Sequence, residues 1–175
     1  MMLGDDESTV LSDGTAPRDV DNIMSTPEAI RQTLARAHQA LPIALSINAF
    51  LINPGATLIL VDAGAGELFG PHSGGRFIAN LRAAGYQPEQ IDAVLLTHIH
   101  ADHSGGLRLG GRRVFPHALV YVDKHDPDFW LSAAAEATTP AEKKTTFQQS
   151  HATIDPYVAA GKVHPFDGAT KFIRD

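Results

Sequence analysis

Residues 95–106 read LLTHIHADHSGG, an apolar run that breaks into three histidines and one aspartate, with two glycines following one serine later. His98 and His100 stand two apart just past an apolar stretch, so in extended backbone their imidazoles point to the same side. Asp102 and His103 come where the chain must turn, and Gly105 and Gly106 are read as supplying the freedom for that turn, which aims a second pair at a neighbouring point. Imidazole combined with a hard carboxylate suits zinc, manganese, iron or cobalt. Three histidines and an aspartate at this spacing at a strand end are poorly explained as an ordinary solvated loop. The scattered His38, His72, His117, His125, His151 and His164 have no partner at ligand spacing, and surface or structural roles are expected for them.

The rest of the composition narrows what this cluster can serve. The chain contains no cysteine, so any metal must be held by nitrogen and oxygen. Its 175 residues, 43% hydrophobic, suffice for one domain with a genuine core. With 14 basic against 20 acidic residues and no basic cluster, nucleic acid is not an expected partner. No membrane-span-length apolar run and no signal-peptide pattern occur, so a cytoplasmic location is the default expectation.

The cluster needs elements to hold it. A short strand is predicted over Ser8 to Leu11, then a loop in SDGTAPRD. A helix follows, with Pro27 at its first position, Ser25 or Thr26 as cap, and Ile30, Leu34, Ala37 and Leu41 on its apolar side. Ile43 to Ile52, the turn NPGA and the strand TLILVDAG form a hairpin, whose run Leu58 to Val61 fits burial on both faces. A helix over Arg76 to Ala84 precedes the strand IDAVLLT that feeds the histidines. A strand at Ala118 to Asp123, helices near Phe129 to Ala137 and Ala141 to Ile154, and a last strand from Lys162 to Phe166 complete the order. This alternation predicts a layered α/β or α+β fold.

The segment THIHADH resembles the HxHxDH signature of the metallo-β-lactamase fold superfamily, and TLILVDAGAG resembles its strand that ends in an aspartate and glycines. More narrowly, VDAGAGELFGP, NLRAAGYQPEQID, LLTHIHADHSGGL, DFWLS and DPYVAAGK are together similar to the methyl parathion hydrolase branch, close to the quorum-quenching lactonases. The resemblance implies two divalent metal ions, zinc first, with His98 and His100 on one and Asp102 and His103 on the other. Asp102 would then be both ligand and catalytic carboxylate. Asp62 would support the ligands from behind by hydrogen bonding, although a strand-end turn role fits it equally. Phe69, Trp130 and Phe147 match the aromatic positions that wall the substrate pocket, while plain core packing also accounts for them. The implied chemistry is hydrolysis of a small ester-type substrate, a phosphotriester, lactone or other ester, by a hydroxide bridging the metals. Thioester or β-lactam hydrolysis, as in other branches, and a catalytically incomplete metal-binding remnant stay open. A homodimer also stays open.

The sequence departs from the family further on. The PGHT-like motif with the third histidine of the first metal, the bridging aspartate and the last histidine do not occur in it. Two ligands per metal remain where catalytic sites ordinarily have three. His151 and His164 are available as substitutes but lack the flanking sequence the family uses. Residues 1–175 are therefore expected to be the N-terminal αβ half, with its following helices, of an αββα domain that is truncated at the C-terminus.

Overall fold

The computed structural model describes residues 2–3, 6–19 and 26–170. In chain order the elements are β1 (Met2–Leu3), β2 (Asp6–Arg18), α1 (Pro27–Arg36), β3 (Ile43–Asn53), β4 (Ile59–Val61), α2 (Phe77–Ala83), β5 (Ala93–Leu95) and α3 (Ala101–Ser104). There follow β6 (Arg108–Leu109), β7 (Arg112–Arg113), β8 (Leu119–Asp123), α4 (His125–Trp130), α5 (Ala133–Thr138), α6 (Lys144–Val158) and β9 (Val163–Phe166). Seven strands make one sheet in the order β1-β2-β3-β4-β5-β8-β9, and β6 and β7 pair separately. The sheet is antiparallel through the β3–β4 hairpin and parallel from β4 to β9. The expected mixed α/β layer is the observed one.

Register explains where the core sits. Leu51, Leu60, Val94 and Val120 are cross-strand neighbours on one face, and each is at most 1% exposed. Phe77 and Leu81 of α2 and Ile154 and Tyr157 of α6 join them in one cluster. Because side chains alternate along strands, the next row faces the other way. It runs Val10, Phe50, Val61, Leu95, Tyr121 and His164, each paired with the next across six strands. Val10 is 54% and Phe50 40% exposed, so this face is apolar and open.

Three expectations need correction. SDGTAPRD is not a loop: β2 runs 13 residues, and turn-prone Ser12 to Gly14 forms a bulge in its ladder with β3. Pairing with a long neighbour overrides local turn preference here. Helix α1 starts at Pro27, but Thr26 makes no side-chain cap bond and no residue of the helix is buried, Ile30 and Leu34 being only partly covered. Ala37 and Leu41 lie beyond its end, and Ser25 lies outside the described residues. The helix placed near Phe129 to Ala137 is two short ones, α4 and α5, joined through Ser132, whose side chain caps α5 by accepting from the Ala135 amide. Among the described residues no helix is long and apolar enough to cross a membrane.

Candidate metal centre

The site lies at the C-terminal edge of the adjacent parallel strands β4 and β5, where open α/β sheets hold ligands. Asp62 follows β4 at φ +61, a left-handed conformation that non-glycine residues rarely adopt. Its amide donates to the Leu95 carbonyl at 2.9 Å, and its carboxylate accepts from the Thr97 amide at 2.8 Å and from the Thr97 hydroxyl. The end of β4 thereby grips the residue just before His98. Past β5 the chain bends at Thr97, Ile99 and His100 and then enters the single turn of α3, which carries Asp102 and His103. Ala63 donates to the His103 carbonyl at 2.7 Å, and Gly106 to the Gly64 carbonyl at 3.1 Å.

This backbone gathers the four motif side chains as two pairs. His98 Nε2 is 3.0 Å from His100 Nδ1, and Asp102 Oδ2 is 3.5 Å from His103 Nε2. The pairs adjoin, with the rings of His98 and His103 4.0 Å apart between centroids. Behind His103, its Nδ1 meets Asp62 Oδ2 at 2.8 Å, so Asp62, only 6% exposed, orients the ring from the side away from Asp102.

His98, Asp102 and His103 shift one another's titration. Burial, with His103 and His100 close by, pushes His98 below the ordinary histidine value. Asp102 is held below the usual carboxylate range chiefly by its hydrogen bond with His103. For His103 burial opposes the charge but is outweighed by the Asp102 and Asp62 carboxylates on either side, and its pKa rises to about 9. Nitrogen and carboxylate donors in two convergent pairs fit divalent metal in chemistry. The set is short in number: among the described residues no group of three or more such side chains could hold an ion. His151 is paired with Asp155 at 3.0 Å, and the His164 ring lies 5.5 Å from Tyr121.

Of the three aromatics, Trp130 stacks edge-on against His100 with centroids 5.1 Å apart. Phe147 is buried behind it, 4.9 Å from Trp130. Phe69 sits in a separate small cluster with Ala16, Ile47 and Ala65, its ring under the Arg18 guanidinium at 4.6 Å. A cavity of about 470 Å³ lined by Glu67, Phe77, Ile78, Arg108, Leu109 and Val114 has no motif histidine in its wall.

Several residues that hold the site escaped the sequence reading. Asp13 is fully buried and accepts from the amides of Ala65 and Phe77 at 2.8 and 2.9 Å, fixing the loop after Asp62. Ser104 donates to the His100 carbonyl at 3.0 Å and meets the Thr153 hydroxyl of α6 at 3.1 Å. The glycines act otherwise than expected. Neither Gly105 nor Gly106 has positive φ, but a Cβ on either would lie 2.0 Å from the carbonyl oxygen of Ala65 or Ala63. Space, not conformational freedom, requires glycine there.

The family model described as Metallo-beta-lactamase superfamily matches residues 42–170. Among solved structures, the hydrolase AbOPH of the beta lactamase superfamily superposes with a TM-score of 0.88 at 36% identity, covering 98% of this chain and 62% of that one. AidC, a dizinc quorum-quenching lactonase, superposes with a TM-score of 0.83 at 24% identity over the same shares, 98% and 62%, a likeness of fold. A hydroxyacylglutathione hydrolase of Aeromonas salmonicida (strain A449) is 55% identical over 38 residues, 22% of this chain and 15% of that protein. The chain thus spans 15% of that curated relative and 62% of each of these two solved chains.

Proposed function

The chain belongs to the metallo-beta-lactamase superfamily, and from that premise we propose that it carries the metal-binding motif of a hydrolase acting on an ester-type substrate, a phosphotriester, a lactone or another ester. The observation that carries this reading is the pair of convergent donor sets, His98 with His100 and Asp102 with His103, backed by Asp62. His98 and His100 would hold one divalent ion and Asp102 and His103 a second, zinc first, with manganese, iron or cobalt as alternatives. When bound, such ions supply Lewis acidity that polarises a carbonyl or phosphoryl oxygen and makes water more acidic.

The chain's own residues do the positioning. With Nδ1 of His103 engaged by Asp62, Nε2 is the nitrogen that faces Asp102. Asp102, held ionised by its hydrogen bond with His103, presents a charged carboxylate to the second ion. Trp130, against His100 and backed by Phe147, offers an apolar wall for the substrate's organic part. The 62% coverage of AbOPH supports reading residues 1–175 as the N-terminal part of a larger domain.

A second reading is a metal-binding module without turnover, favoured by the lack of any three-donor group among the described residues. Hydrolysis of paraoxon and of an N-acyl homoserine lactone by the zinc-loaded chain fused to the portion of AbOPH beyond the matched 62% separates the two, with that portion alone as the control. Turnover of either above the control supports the hydrolase, and metal uptake without turnover supports the module.

A further inference from the structure

Between the two histidines of the first pair lies Ile99, whose side chain is fully buried in the core cluster. Its amide donates to Asp126 Oδ2 of α4 at 2.9 Å. Its carbonyl is 3.1 Å from Ser150 Oγ of α6, a hydroxyl that also lies 2.8 Å from the Thr146 carbonyl and so divides one proton between two acceptors. The Ile99 backbone is thus held from two other elements while its side chain is fixed below.

We propose that Asp126 is a positioning residue for the metal pair, a clamp on the Ile99 amide that sets the relative aim of His98 and His100. This rests on the metal reading of the preceding section. His98 and His100 can bring nitrogens within 3.0 Å of each other only while the backbone between them keeps one conformation. The bond is part-buried, so removing Asp126 leaves the Ile99 amide to turn toward another acceptor, water included, and the fixed aim of that peptide is lost. Turning that peptide swings the two imidazoles apart, since each is attached one residue away. Helix α4 also carries Trp130 against His100, so one short helix sets both the backbone and one ring face of the pair.

Asp126 and Asp128 are both acids of the first turn of α4. A generic charge effect on that helix would make them equivalent; the clamp does not. Four variants of the full chain decide the matter: Asp126→Ala, Asp126→Asn, Asp126→Glu and Asp128→Ala. Two quantities are read, cobalt(II) affinity from visible absorption in a titration, and hydrogen exchange of the Ile99 amide by NMR in metal-free protein. Asp126→Ala should weaken cobalt binding by about 10- to 100-fold and speed Ile99 exchange relative to the Val94 amide. Asp126→Asn keeps an acceptor oxygen and should stay close to the unsubstituted chain in both. Asp126→Glu keeps the charge but displaces the acceptor by a methylene and should lose affinity, and Asp128→Ala should change neither. If Asp126→Ala does not fold, the Asn and Glu variants still oppose position to charge. Unchanged affinity in the Ala variant, or an Asn variant impaired while Glu is not, overturns the clamp. No cobalt uptake by the unsubstituted chain overturns the metal reading itself, while the exchange of Ile99 still reports whether Asp126 holds it.

Discussion

His103 Nδ1 lies 2.8 Å from Asp62 Oδ2, and the same carboxylate accepts the Thr97 amide at 2.8 Å. One buried side chain therefore sets both the start of the histidine segment and the orientation of its last ring. Replacing Asp62 by alanine should lower zinc affinity by about 10- to 100-fold, the usual effect of losing a carboxylate behind a metal-ligating histidine. The chain should still fold, less stably by about 1–3 kcal/mol, because the Thr97 amide loses its acceptor. Competitive zinc titration and urea unfolding read the two effects separately, and an Asp62→Ala protein with unaltered zinc affinity would remove Asp62 from the site.

The Gly106 position tests the close approach of the motif to β4. A Cβ there meets the Ala63 carbonyl oxygen at 2.0 Å, backbone against backbone with no flexible side chain to yield. Gly106→Ala should cost at least about 1–3 kcal/mol and disturb metal binding along with stability. Gly110 has φ +55 and nothing within 4 Å, so Gly110→Ala pays only for left-handed backbone, about 1–2 kcal/mol, and should leave metal binding untouched. Equal zinc affinities in the two variants would mean that packing at Gly106 does not reach the histidines.

These glycines show what could be read in the sequence and what could not. The motif was legible because its donors are neighbours in the chain: His98, His100, Asp102 and His103 need only a strand end and one helical turn to converge. Asp62 stood out as the end of an apolar run, but its place behind the histidines came from the family resemblance, since a strand-end turn role fitted it equally. Asp126 and Ser150 were not, because they reach Ile99 from 27 and 51 residues away and no periodicity links such positions. Gly105 and Gly106 were found for the wrong reason, since close approach leaves no local signal that differs from a turn. In α1 the regular spacing of Ile30 and Leu34 promised a buried stripe, yet spacing gives only the face and not its partner.

Tyr157 supplies a pH test of the core. Its hydroxyl donates to the Leu107 carbonyl and accepts from the Phe115 amide, both at 3.1 Å, tying α6 to the segment after the motif. Burial raises its pKa from 10.0 to about 12. The folded state thus keeps the proton that the unfolded chain releases first. The contribution is complete below pH 10 and is lost as pH rises toward 12, with a slope of up to about 1.4 kcal/mol per pH unit. Tyr157→Phe should be less stable at neutral pH, by about 1–3 kcal/mol, and should lose this part of the alkaline slope. Unfolding free energies from denaturant curves between pH 8 and about 12 give the comparison, and parallel profiles for the two proteins would contradict it.

The last prediction concerns what these 175 residues do alone. Two protein donors per ion leave the remaining positions to water, so an ion is poorly fixed against a substrate, whereas stable catalytic zinc ordinarily has three. The row Val10, Phe50, Val61, Leu95, Tyr121 and His164 also leaves one sheet face apolar and open, the kind of surface that drives association. The chain by itself should therefore bind zinc weakly, hydrolyse paraoxon and acyl lactones poorly, and sediment as concentration-dependent oligomers. Supplying the portion of AbOPH beyond the matched 62%, as a fusion or in trans, should cover that face and raise both zinc affinity and turnover. Val10→Lys and Phe50→Lys should shift the unsupplemented chain toward monomer without changing its weak zinc binding, because these exposed side chains stand on β2 and β3, which carry none of the four donors. Tight binding of two zinc ions with full esterase activity by the unsupplemented chain would show that it completes its own site. His151→Ala and His164→Ala would then identify which histidine supplies the missing donor.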